Sequence, residues 1–143
     1  MEEDFNVVHN VLYYIYTNRI KLSTVHSVDS KPENRAPKVC DAEDVYALAH
    51  RLDLMDLKTT VLGFLSRSCN PRNITSRVFS RFAYLYDEAG QVYDRYFKNV
   101  WRQIRKSKEF KEFFVATEEG NNSKEIIRIF QKFRELVQEA KFP

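Results

Sequence analysis

The side chains most able to do chemistry in this chain are three histidines, His9, His26 and His50, and two cysteines, Cys40 and Cys69. A zinc site needs such ligands at short, repeated spacings, and neither an HExxH pair nor a CxxC pair occurs. A cysteine–histidine nucleophile needs its partners brought together by the fold, and no local pattern points to that. One small buried thiol and one loop thiol is the simpler reading. Neither GxGxxG nor GxxxxGK[ST] is present, and three glycines could hardly build a phosphate cradle. The adjacent acids Glu118 and Glu119 fall in an expected loop. The expectation is no catalytic residue, no metal and no cofactor.

Basic residues form the other pattern. Residues 1–66 hold seven Lys/Arg against ten Asp/Glu, a balance of −3; residues 67–111 hold eleven against four, +7; residues 112–143 hold five against six, −1. Only the middle of the chain suits an acidic partner. On a helix advancing 100° per residue, Arg95, Lys98, Arg102, Arg105 and Lys106 share an arc of about 100°. Tyr93, Tyr96, Phe97, Val100 and Ile104 take the opposite arc, with Trp101 at its border. Basic and aromatic residues are therefore segregated, which makes the aromatics core and not platforms for stacked bases. Nucleic acid is the disfavoured partner, and an acidic protein or plain solvation is preferred.

The elements that carry these residues are helical. At 143 residues the chain is one domain with a weakly separate tail, 43% hydrophobic and 14% aromatic. It can bury roughly two-thirds of its unfolded surface. Few Gly and Pro argue against a turn-rich β-sandwich. No apolar run reaches the ~20 residues of a membrane helix, so no membrane partner is expected. The acidic start "MEEDF" resembles no secretory or mitochondrial signal, and two cysteines without such a signal imply free thiols in cytosol or nucleus.

The stretch Asn6–Leu22, "NVVHNVLYYIYTNRIKL", begins as a helix with Val8, Val11, Leu12 and Ile15 inward. Beyond Asn18, "RIKLS" alternates like a short strand with no visible partner. With Ile15 inward, Tyr13 and Tyr16 cannot both be deeply buried and Tyr14 reaches solvent. Exposed tyrosine offers large area at low rotamer cost, so Tyr13, Tyr14 and Tyr16 are interface candidates. Residues 23–40 form a long polar loop. Asp41 is placed to cap a helix with Val45, Leu48, Ala49 and Leu52 inward. A break at Asp53 precedes a second helix with Leu54, Leu57, Val61, Leu62 and Leu65.

Asn70 and Pro71 then open a helix with Val78, Phe79, Phe82, Leu85 and Tyr86 inward. Asp87 caps a longer one to about Arg105. Ser107 starts a short one carrying Phe110, Phe113 and Phe114. After the "EGNNS" break Ser123 caps the last, with Ile126, Ile129, Phe130, Phe133 and Val137 on one side. The sum is a mostly α fold of about seven helices and one or two short strands.

"VLYYIYTNRIKL", a polar loop and "AEDVYALAHRLDLMDLKTTVLGFL" together resemble the C-terminal half of a BTB/POZ domain over about residues 6–66. In that family a helix ends in a Tyr-Ile-Tyr-Thr-like motif, here Tyr14–Thr17. A helical hairpin follows, matched here by Leu48, Ala49, Leu52, Leu57 and Lys58. Asn18 stands where the family usually has Gly, and both tolerate positive φ. Residues 69–143 are similar to the 3-box or BACK tail that follows many such domains, with Phe97, Val100, Glu109 and Phe110 fitting its ending.

The family's first half, with most of its sheet and usual dimer surface, is not matched. The resemblance implies that the strand lacks partners because the chain enters the domain halfway, as a fragment or as a form that pairs by self-association into a homodimer. In BTB proteins that recruit a cullin, the motif tyrosine and tail helices lie on the cullin-facing side, which implicates Tyr16, Asn73 and Ile74. The expected function is non-enzymatic: an adaptor between a cullin-type ubiquitin ligase and a substrate. The alternatives are an oligomerisation or transcription/chromatin-associated scaffold and, third, a basic helical nucleic-acid binder.

Overall fold

The structure, a computed structural model, describes residues 4–23, 40–119 and 123–139. It is mostly α, with 80% of the described residues in helices. The chain divides into two compact units, Met1–Ser68 and Cys69–Pro143.

In the first unit, α1 (Phe5–Thr17) starts at Asp4, whose carboxylate accepts the Asn6 N–H at 2.9 Å. It ends where Asn18 turns left-handed at φ 57° and donates its N–H to the Tyr14 carbonyl, a geometry that a short polar side chain tolerates. Strand β1 (Leu22–Ser23) pairs in parallel with β2 (Cys40–Asp41), Leu22 opposite Cys40 and Ser23 opposite Asp41. The strand expected to be alone therefore has a partner within the chain. No local pattern reveals it, because two residues are too few for an alternation. The intervening residues of the expected 23–40 loop, 24–39, lie outside the described residues and include His26.

Asp41 caps α2 (Ala42–Arg51), accepting the Glu43 N–H at 3.0 Å. Asp53 adopts φ 57° at the break, and α3 (Met55–Ser68) returns against α2. The core of this unit is Val7, Val11, Val45, Tyr46, Ala49, Leu57, Val61 and Leu65, each under 4% exposed. Leu52, expected inside, is 52% exposed because the helix ends at Arg51 and Leu52 has already left its face.

The second unit holds α4 (Ile74–Val78), α5 (Arg81–Leu85), α6 (Asp87–Ile104), α7 (Lys108–Glu119) and α8 (Ser123–Glu139), for eight helices among the described residues. The extra one arises because the helix expected from Pro71 through Tyr86 is two. Asn70 does cap, but only a turn, its side chain accepting the Arg72 and Asn73 N–H groups ahead of α4. At the break, the Ser80 hydroxyl accepts the Ala83 N–H and starts α5 afresh. The Arg128 guanidinium on α8 donates to the carbonyls of Phe79 at 3.0 Å and Ser80 at 3.4 Å, groups that a continuous helix would have used itself. The changed phase leaves Leu85 56% exposed and buries Ile74, Thr75 and Ala83 instead.

Arg128 also pairs with Glu125 and lies over the Tyr84 ring at 5.1 Å. Two different guanidinium nitrogens reach the two carbonyls, and the single nitrogen of a lysine lacks the planar fork that spans them. Arg128→Lys is expected to cost about 1 kcal/mol in urea unfolding, the worth of one ordinary hydrogen bond. An unchanged midpoint would mean that the two carbonyls do not depend on the fork.

Candidate functional site

Each sequence-predicted residue now has a place. Ile74 is fully buried, so it is core and no partner can touch it; Asn73 beside it is half-buried. The reason is the displaced start of α4, which turns Ile74 into the interior. Arg95 and Arg102 are exposed and Lys98 half-exposed on α6, while Arg105 is the C-cap and Lys106 lies past the helix end, both exposed. The five do not form one continuous helical stripe, since α6 stops at Ile104. The opposite face is core as expected, with Tyr93, Phe97 and Ile104 fully buried.

The tyrosines differ from one another. Tyr16 is 86% exposed, and Tyr13 and Tyr14 are half-buried. Ile15 is 52% and Leu12 50% exposed, the reverse of the expected inward stripe. Val11 is buried as expected, but Val7 and Asn10 join it inside in place of Leu12 and Ile15. What orients the helix is polar. The buried Asn10 amide donates to Cys40 Sγ at 2.7 Å, and that thiol donates to the Asn6 carbonyl at 3.3 Å, which ties one face of α1 to β2. Burial pushes the Cys40 thiol up from its ordinary pKa, partly opposed by the Asn10 hydrogen bond, so it stays protonated and able to donate. Burial likewise raises Cys69, with Arg77 opposing. Neither cysteine forms a disulfide, and protonated thiols are poor nucleophiles.

With that face fixed, the other is left in water. At 100° per residue Phe5, His9, Leu12 and Tyr16 share an arc of about 60° opposite Val7 and Asn10. Phe5 is 77% exposed and stacks on His9, ring centroids 6.0 Å apart. Sequence reasoning missed Phe5, His9 and Leu12. The usable signal was the absence of any Asp, Glu, Lys or Arg from Phe5 to Thr17. A helix with one solvated face ordinarily carries charge there. An uncharged, aromatic-rich exposed face makes this side of α1 a candidate docking surface.

His50 stacks on Tyr46, so the described histidines lie on separate elements. Among the described residues no three His, Cys, Asp or Glu side chains converge as a metal site, and no helix is long and apolar enough to cross a membrane. No protein-family model, curated protein or solved structure matches this chain.

Proposed function

We propose that the chain is a non-enzymatic protein-interaction module that docks a partner on the exposed face of α1, with Tyr16 as the anchor. The observation that carries this is a thirteen-residue helix without a charged side chain whose outer face presents Phe5, Leu12, Ile15 and Tyr16 to water. Large aromatic anchors in an uncharged patch are what interface cores are made of.

The resemblance to a BTB/POZ C-terminal half with a BACK-like tail supplies the partner class: a cullin-type scaffold of a ubiquitin ligase, for which the chain would be part of an adaptor in cytosol or nucleus. Tyr16 is the motif tyrosine of that resemblance. The basic end of α6, with Arg95, Arg102 and Arg105, attracts acidic partner surfaces over longer range.

Titration calorimetry against a cullin amino-terminal domain tests the reading. The chain should bind at micromolar strength. Tyr16→Ala should weaken binding at least tenfold, about 1.4 kcal/mol, with unchanged helicity by circular dichroism. Binding that ignores Tyr16→Ala would move the contact off α1, and no binding by a folded chain would remove the cullin.

A further inference from the structure

We infer that the exposed face of α1 is self-complementary and that a second copy of this chain occupies it as an antiparallel helix pair about a two-fold axis. This rests on reading α1 as a docking face, and it names the partner that the free protein finds there.

Three observations support a second copy over an unrelated protein. The first is spacing. The outer residues lie at positions 5, 9, 12 and 16, which map onto themselves when the helix is reversed. Phe5 then meets Tyr16 of the partner copy and His9 meets its Leu12, so the same contacts are made twice, as an isologous pair requires. Stacking of Phe5 on His9 already holds half of that surface in place.

The second is charge. Within the helix there is none, so close approach sets no like charges together. Charge is confined to its ends: Asp4 at the start, preceded in sequence by Glu2 and Glu3, and Arg19 and Lys21 just past the finish. Asp4, Arg19 and Lys21 are all exposed. An antiparallel pair brings the acidic end of each copy to the basic end of the other. A parallel pair would place acid on acid and base on base.

The third is area. Phe5, His9, Leu12 and Tyr16 leave at most about 500 Å² per copy in water, given 150–250 Å² for an aromatic side chain. A symmetric pair buries no more than about 1,000 Å², the size of a weak and reversible interface.

Sedimentation of the full chain between 5 and 500 μM tests this, with the protomer mass of 17.0 kDa as reference. The mass is expected to approach twice that value as concentration rises. Leu12→Glu should weaken the dimer at least tenfold without loss of helicity. Direction is tested by charge exchange: Glu2→Lys/Glu3→Lys and Arg19→Glu/Lys21→Glu should each self-associate more weakly, and mixing the two should restore the wild-type mass. A monomer up to 500 μM, or a dimer indifferent to Leu12→Glu, overturns the inference. Variants that each self-associate as well as wild type overturn the antiparallel arrangement, because a parallel pair loses nothing by either exchange. Monomers up to 500 μM that bind the cullin domain through Tyr16 would sink the dimer alone, whereas no cullin binding at 5 μM, where the α1 face is free of a second copy, would sink the cullin assignment alone.

Discussion

Phe79→Ala is expected to destabilise the second unit by about 3–5 kcal/mol, the range for emptying the site of a fully buried aromatic. Phe79 is 2% exposed, and the rings of Phe97, Phe113, Phe114 and Phe133 surround it at 5.5–6.3 Å between centroids. Those rings come from α6, α7 and α8, so the cavity would have walls on three helices that cannot all collapse inward together. Trp101 is the chain's single tryptophan and lies in the same cluster, 5.4 Å from Phe97 and 5.6 Å from Phe133. Its fluorescence therefore reports this unit during urea unfolding of the full chain. Phe130 is the control. It is 43% exposed, so by area alone Phe130→Ala should cost about three-fifths as much, and less again because a surface site leaves no closed cavity. Equal costs at the two positions would place the centre of the core elsewhere.

Gly90→Ala carries the second large effect, and its sign is the test. Helix propensity alone favours alanine by at most about 1 kcal/mol, the mid-helix value, and Gly90 is the fourth residue of α6. Gly90, however, lies where α6 crosses α5, and a Cβ there would stand 2.6 Å from the Ala83 carbonyl oxygen. That neighbour is backbone and cannot rotate away, so α5 or α6 must move. Overpacking costs about 3 kcal/mol at its upper end, leaving a net loss of about 2 kcal/mol. For a unit of this size that lowers the thermal midpoint by about 10 °C. A variant that melts higher than wild type would mean that propensity wins and that the two helices are not held at this distance.

Local signals were enough for much of the fold. Asp41 as a cap, Ser107 at the start of α7, where its hydroxyl accepts the Phe110 N–H, and the interruptions at Asn18 and Asp53 all depend on neighbours within four residues. The inward face of α6 was legible for the same kind of reason: its basic and aromatic residues separate cleanly around the helix, so periodicity names one face as core.

Tertiary structure decided what periodicity could not. Helix α1 carries no charge on any side, so apolar spacing alone pointed to Leu12 and Ile15 as inward when they are not. The choice falls to the Asn10–Cys40 hydrogen bond, made across thirty residues of chain. That one choice sends Val7 inward and Leu12, Ile15 and Tyr16 outward, and it creates the candidate docking face. Likewise the pairing of Leu22 with Cys40, the interruption of the helix at Phe79 and Ser80 by Arg128, and the burial of Ile74 all depend on groups distant in sequence. The residue types at 5, 9, 12 and 16 were plain from the sequence. That they face water depended on which other face of the helix found its hydrogen-bond partner.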